Sequence, residues 1–309
     1  MVNQLPNLNK SLLAWIALSG FFSVNAQEQS QQQYWFELVA RDQSFSDSAS
    51  REGRASAFRE FLGEGSVVFR PGGPKDAQDI YAIDNFQGNE ISWKAHYVDV
   101  SRDGDLGLSA GPLIIIGDED NPGDTWGHMV SIWRKQEVNW QLMADIVVNI
   151  PGVLSLEVEP NFEDTQPVLE ETAHPEVVSD AAHTLQDLID ADNLFGLSIN
   201  FRGGQRALLR YGLENARVYL PGMAPAVGAD AASSVYGAYL DSQLFTTNPI
   251  ALSYVGGYLS TSKEMGYTYG TMATNGDEAD QVFQTSYLRL WRFTNTNEWK
   301  IAVEMLSPF

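Results

Sequence analysis

The chain has 309 residues, 44% of them hydrophobic and 19% charged, and no cysteine. That composition excludes a disordered chain, and the missing cysteines exclude disulfides, thiolate metal sites and a thiol nucleophile. With 40 acidic against 19 basic residues the formal charge is −21, a surface that repels phosphate and argues against nucleic acid or an anionic membrane as partner.

At the N-terminus Lys10 precedes an uncharged run from Leu12 to Val24 that ends in Val24-Asn25-Ala26 and passes into a Gln-rich stretch. This reads as a secretory signal peptide over residues 1–26, with the mature chain starting at Gln27. The run is too short to span the roughly 30 Å hydrocarbon core as a helix, so no membrane attachment is expected after cleavage. Export without cysteine fits the bacterial periplasm or the external medium.

Laid against itself, the rest of the chain is a tandem repeat. Phe61-Leu62-Gly63-Glu64-Gly65-Ser66-Val67-Val68-Phe69-Arg70-Pro71-Gly72 returns 150 residues later as Tyr211-Gly212-Leu213-Glu214-Asn215-Ala216-Arg217-Val218-Tyr219-Leu220-Pro221-Gly222, and Asp42 and Phe45 return as Asp192 and Phe195. Gly107, Gly111 and Trp140 meet Gly266, Gly270 and Trp299 at an offset of 159. Between the copies, Asn149 to Asp180 carries four prolines, eight carboxylates and no Lys or Arg, the composition of an extended linker. The expected units are a first domain over 30–150, a linker over 151–177 and a second domain over 178–309.

In the first copy, Trp35, Leu38, Val39, Asp42 and Phe45 fall at helical spacing, and a second amphipathic helix follows over about 51–62. Val68 to Gly72 reads as a short strand ending in a turn. Ile91–Val100, Leu106–Ile116, Thr125–Arg134 and Trp140–Val148 then read as strands, rich in β-branched and aromatic residues and separated by Gly, Asp and Asn turns. The second copy repeats the order: helices around 185–195 and 202–213, then strands at 250–259, 266–273, 282–293 and 299–305. Helices before a run of hairpin-linked strands give an α+β unit with helices on one face of a curved antiparallel sheet.

These residues carry a family resemblance. Asp42-x-x-Phe45, Val68-Phe69-Arg70-Pro71-Gly72, Trp93, Ser101-Arg102-Asp103-Gly104-Asp105-Leu106-Gly107, Ile132-Trp133-Arg134-Lys135 and Trp140-Gln141-Leu142-x-x-Asp145 resemble a SnoaL-like domain of the nuclear-transport-factor-2-like, or ketosteroid-isomerase-like, superfamily. Tyr267-Thr268-Tyr269-Gly270 and the hairpin Leu290-Trp291-Arg292 to Trp299-Lys300-Ile301 correspond in the second copy, where Leu252 replaces Trp93 and Glu304 replaces Asp145. The resemblance implies two tandem cone-shaped α+β domains, each with a deep, mostly apolar pocket between helices and sheet and usually no cofactor. It also implies that the copies pair through their sheets, as an intramolecular pseudo-dimer or within a homo-oligomer. Because the superfamily includes enzymes and non-catalytic binders, it leaves function open.

Asp42 and Asp192 sit on the apolar stripe of the first helix of each copy and read as structural acids tied to backbone N–H groups, or else as catalytic acids. Positions that differ between copies are where ligands would be chosen. If the last hairpin pairs Trp133 with Trp140, His128 stands opposite Asp145, a dyad suited to removing a proton beside a carbonyl. Trp93 and Trp126 in the first copy, and Tyr254, Tyr267, Tyr269, Arg289 and Glu304 in the second, are the candidate ligand contacts. Asp118-Glu119-Asp120-Asn121-Pro122-Gly123 fails as a calcium loop, since Met129 stands where a bidentate Glu is needed. No HExxH, phosphate loop or Gly-x-Ser-x-Gly elbow occurs, so neither metal nor cofactor is expected. The expected function is an exported protein binding a small apolar molecule or a protein partner; the alternative is a cofactor-free isomerase, dehydratase or cyclase using acid/base chemistry in the first domain.

Overall fold

The computed structural model describes residues 30–83, 90–117, 122–154, 183–243, 249–274 and 284–309. The expected signal peptide, most of the expected linker and the Asp118-to-Asn121 turn lie outside these residues.

The first half runs α1 (Gln31–Glu52), α2 (Arg54–Phe61), β1 (Leu62–Arg70), β2 (Gly73–Asp76), α3 (Ala77–Ile83), β3 (Ile91–Trp93), β4 (Tyr97–Val100), β5 (Leu106–Ile115), β6 (Thr125–Gln136) and β7 (Asn139–Ile150). The second runs α4 (Leu185–Arg202), α5 (Gly204–Tyr211), β8 (Gly212–Tyr219), β9 (Ala226–Val227), α6 (Ala229–Gln243), β10 (Ile250–Leu259), β11 (Met265–Thr274), β12 (Gln284–Phe293) and β13 (Trp299–Pro308). The protein is therefore α+β, with two sheets each carrying helices.

Local chemistry repeats with the fold. Ser30 caps α1 by accepting from the Gln33 N–H at 3.3 Å while Gln33 returns a bond to Ser30 N–H at 2.9 Å, and Thr184 and Asp187 build the same box on α4. The chain turns from α1 into α2 at Gly53 (φ 86°) and from α4 into α5 at Gly203 (φ 80°), left-handed backbone that glycine adopts without a Cβ penalty. The expected second helix over 51–62 is thus the end of α1, this turn and α2. The expected strand over 91–100 divides into β3 and β4. Residues 94–95 ride directly over Gly111, where a Cβ would fall 1.9 Å from the Lys94 carbonyl oxygen.

Both sheets are antiparallel but for one pair. In the first, the order is β2-β1-β7-β6-β5-β3, with β4 also on β5; in the second it is β10-β11-β12-β13-β8-β9. β1 lies parallel to β7, and β8 parallel to β13.

One face of each sheet packs on its own helices. Phe45, Phe58, Trp93 and Trp133 form the first of these cores, and Phe195, Tyr236 and Trp291 the second. The opposite faces pack on each other: Leu108, Ile132 and Ile146 share one core with Leu288, Leu290 and Val303. The rim of this contact is reciprocal. Arg102 N–H donates to Glu264 at 2.8 Å and Thr261 N–H donates to Asp105 at 2.8 Å, and these four residues occupy equivalent places in the two copies. Arg292 pairs with Asp99 and Glu264, while its counterpart Arg134 lies 3.7 Å over the Tyr258 ring. Self-complementary contacts of this kind are the signature of a two-fold interface, here closed within one chain.

The last hairpin of the first half does not keep the expected register. The turn sets Gln136 opposite Asn139 and so Trp133 opposite Leu142, two positions off the expected pairing, and a bulge between Ile132 and Trp133 adds a third, so His128 faces Val148 and Asp145 faces Ser131. With the side chains alternating, His128 points to the other sheet and Asp145 to the helices. The expected His128–Asp145 dyad is therefore not formed, because the extra residue of a bulge changes which positions share a face.

Candidate functional site

The polar floor between helices and sheet differs sharply between the halves. In the second half, β12 and β13 place Arg289 opposite Glu304, and α4 brings Asp192 over them. Arg289 Nη1 donates to Asp192 at 2.7 Å, its Nε donates to Glu304 at 2.6 Å, and its Nη2 donates to the other Glu304 oxygen at 3.1 Å. Tyr287 adds a hydroxyl to Asp192 at 2.7 Å and Tyr236 adds one to Glu304 at 3.2 Å. Arg289, Asp192 and Glu304 are wholly buried. Burial pushes the Glu304 carboxyl up, and the guanidinium opposes that. One internal cation thus satisfies two acids, as a buried ion pair must.

The first half keeps both acids and lacks that cation. Asp42 on α1 and Asp145 on β7 are buried, and Ser131 takes the place of Arg289 opposite the strand acid. Ser109 Oγ donates to Asp42 at 2.6 Å and itself accepts from the Trp133 indole N–H at 2.8 Å; Ser131 Oγ donates to Asp145 at 3.0 Å. The partners of Asp42 are thus side chains rather than the backbone N–H groups expected. Burial pushes both carboxyls up to about 6, with Ser109 opposing it at Asp42, and Arg54, Ser131 and Arg70 opposing it at Asp145. Asp145 Oδ2, Ser66 Oγ and Arg54 Nε are buried without a hydrogen-bond partner, while the Trp93 indole faces Asp42.

Above this floor, α2, the end of β1 and α3 converge. Arg70 Nη2 donates to the Tyr81 hydroxyl at 2.9 Å, Arg54 approaches the same hydroxyl, and the Tyr81 ring stacks on Phe58 at 4.3 Å. Burial raises the Tyr81 phenol while the two arginines oppose it. The corresponding positions of the second copy are Gly204 for Arg54 and Leu220 for Arg70.

Of the residues singled out from sequence, the structure brings Trp93 and Asp145 into this first interior and Arg289 and Glu304 into the second, where they bind each other rather than line an open wall. Tyr254, opposite Gly270, is partly exposed on β10. His128, Tyr267 and Tyr269 lie on the faces between the sheets, away from both interiors. His128 packs 5.7 Å from the Tyr219 ring, and burial, with the nearby His96, lowers its pKa to about 4. Trp126, on the same side of β6 as His128, stands over Gly152. Arg54, Tyr81 and Ser131 were not found from sequence, although Arg54/Gly204 and Ser131/Arg289 are charge differences between aligned copies. Among the described residues no cluster of three or more His, Cys, Asp or Glu is placed to hold a metal, and no helix is long and apolar enough to cross a membrane.

No protein-family model matches the chain, and no curated protein matches it. Solved structures similar to part of it include a ketosteroid isomerase-like protein from Erwinia carotovora atroseptica (19% identity, 40% of this chain and 95% of that one, TM-score 0.32). An NTF2-like protein with a cystatin-like fold from Novosphingobium aromaticivorans is similar at 12% identity over 40% of this chain and 81% of that one, with a TM-score of 0.33. A conserved protein from Planctomyces limnophilus is similar at 22% identity over 37% and 98%, with a TM-score of 0.31.

Proposed function

We propose that this chain is an exported binding protein whose first half holds a small, largely apolar molecule between helices and sheet, while the second half is its structural counterpart. The observation that carries the reading is the contrast between the two polar floors. Arg289 closes the second by bonding both of its acids, whereas the first leaves Asp145 Oδ2 without a hydrogen-bond partner. Buried polar groups are normally satisfied, so this oxygen is a place for a ligand's polar end. Phe45, Phe58 and Trp93 supply the apolar wall. Native mass spectrometry of the full chain tests this: a retained or added small molecule should be lost in Ser131→Arg, which carries the second half's cation into the first. Equal retention in both proteins would count against the first half as the binding half.

A second reading is favoured by one observation: Asp42 and Asp145, both raised to about 6, would exchange protons near neutral pH. This suits a cofactor-free isomerase, dehydratase or cyclase in the first half, with these two acids in place of the His128–Asp145 dyad. Under this reading Asp42→Asn and Asp145→Asn each lower turnover by about 10² to 10⁴ while binding persists. Binding and turnover that fall together would favour the non-catalytic function. Export is tested separately by N-terminal sequencing of protein from the periplasm or medium, which should begin at Gln27.

A further inference from the structure

The face of each sheet that carries no helices is covered by the other sheet, so a contact with another molecule has to use a different surface. The outer side of α4 is such a surface. Leu188, Asp192, Phe195 and Ile199 bury its inner side, yet Leu194, Leu197 and Phe201 on the opposite side are 53%, 51% and 83% exposed. Spacings of three and four put these three in one stripe, the kind of seam by which helices pair. The first half has none of it. There α1 carries Ser44, Asp47 and Arg51 at the same places, all exposed, with Gln43 bonding Asp47 at 2.8 Å. The shared fold therefore does not require the stripe.

Beside Leu194 the surface opens into a cleft of about 200 Å³ walled by Ala191, Tyr211 and Trp299. In the first half Arg41 fills the same place: its guanidinium lies 3.8 Å over the Phe61 ring and its Nε donates to the Trp140 carbonyl at 3.0 Å. Ala191 in place of Arg41 leaves the second half hollow. At the mouth Lys300 and Arg210 both turn to Glu298, at 3.0 and 3.7 Å, which leaves aromatic and aliphatic carbon as the walls. The cleft is smaller than the roughly 300 to 1,000 Å³ of a small-molecule site and suits a single apolar side chain.

We propose that two copies of this chain pair through α4, antiparallel, with Phe201 of each entering the cleft beside Leu194 of the other. One face then supplies both knob and hole, as a two-fold contact between identical chains requires. Charge selects the orientation. Asp187 and Asp190 are exposed at the start of α4 and Arg202 at its end. An antiparallel pair with Leu194 against Phe201 brings Asp190 of one copy within about one helical turn of Arg202 of the other. A parallel pair would set like charges and like helix ends together. Anionic lipid is a poor occupant for the same stripe, since it repels a chain of net charge −21. The pairing is independent of the small-molecule function proposed for the first half, because it uses the outer surface of the second.

Sedimentation equilibrium of the full mature chain over roughly 1 to 100 μM tests this and should show monomer passing to dimer, with no larger species. Phe201→Arg and Leu197→Asp, which install the first half's residues, should each weaken the dimer by about tenfold or more while the urea midpoint stays at the wild-type value. Asp190→Arg and Arg202→Asp should each weaken it by about two- to fivefold, and the two together should restore it. Since the chain has no cysteine, Leu197→Cys supplies a single thiol beside the two-fold axis. It should form a disulfide-linked dimer on oxidation, and Asp47→Cys on the first half should not. A monomer at every concentration overturns the proposal, whether or not that monomer binds phosphatidylcholine vesicles. A dimer insensitive to Phe201→Arg and Leu197→Asp overturns it too, because the contact then lies elsewhere. A charge exchange that fails to restore pairing overturns the antiparallel register.

Discussion

Ser131 stands where Arg289 stands: each lies two residues before the buried tryptophan of its strand and directly opposite an acid on the next strand, Asp145 in one half and Glu304 in the other. That exchange converts a closed ion-pair network into a floor with spare hydrogen-bonding capacity. The same scaffold thereby carries a salt-bridged polar floor in one half and a floor of serine-bonded acids in the other.

The first prediction concerns the closed floor. Arg289→Met leaves Asp192 and Glu304 buried without a cation, which typically costs about 3 to 5 kcal/mol. The loss should be largest at neutral pH and shrink toward pH 5, because Glu304, whose carboxyl burial pushes up, can then take up a proton. Adding Asp192→Asn and Glu304→Gln to Arg289→Met should return most of the stability. Urea unfolding of the single and triple variants at both pH values checks this, and a triple variant no more stable than the single one contradicts it.

The open floor behaves in the opposite sense. Asp145 has a folded-state pKa of about 6 against an ordinary 3.8, so the folded chain holds its proton more tightly than the unfolded chain does. Its stabilising protonation is complete below the ordinary value and is lost as pH rises through about 6. Asp145→Asn should therefore stabilise the protein above pH 7 by up to about 3 kcal/mol, with little gain at pH 4. Carboxyl carbon NMR titration should show this resonance moving near pH 6, and a midpoint at the ordinary value would refute the assignment.

The repeat, the order of helices and strands, and the tryptophans of the last hairpin were all legible in the sequence, because apolar periodicity and matched offsets survive in both copies. The third helix of each half was not. Ala229–Gln243 is rich in Ala, Ser and Tyr and has no clean apolar stripe, and Ala77–Ile83 is a short segment that only its packing against β1 and α2 makes helical. The dyad failed for a different reason. One bulge at Ile132/Trp133 moved His128 and Asp145 to opposite faces, and a bulge leaves no reliable mark in composition. The site's acids were visible as apolar-face carboxylates, but Arg54 and Tyr81 reach it from helices whose packing the sequence does not encode locally.

The rim of the two-fold contact gives a coupling prediction. Arg292 joins Asp99 through two nitrogens and also donates to the Val100 carbonyl at 2.9 Å. Both side chains are largely shielded, so their pairing should exceed the roughly 0.2 to 1 kcal/mol of an exposed bridge. A double-mutant cycle with Arg292→Met and Asp99→Asn should return a coupling above about 1 kcal/mol. A coupling near zero would mean that the apolar face between the sheets carries the association alone.

The last prediction places a proton-sensitive element at the centre of that same contact. His128 packs against Tyr219 of the other half, and burial and His96 lower its pKa to about 4 from the ordinary 6.5. The folded chain therefore holds this proton less tightly than the unfolded chain, and the stability it supports, present above pH 6.5, is lost as pH falls toward about 4. Asp42 and Asp145 act against it over nearly the same range, since their protonation favours the folded state as pH falls below about 6. Wild type should consequently gain stability between pH 6.5 and 4, but only about half of what the two acids alone would give, because His128 offsets the rest. His128→Phe removes that offset, so its stability relative to wild type should rise as pH falls, by up to about 3 kcal/mol at pH 4. Urea unfolding across this range, with the His128 ring resonances followed by NMR, reads both sides of the balance. A His128 midpoint at its ordinary value, or a pH-independent difference between the two proteins, would show that the ring is solvated rather than held between the sheets.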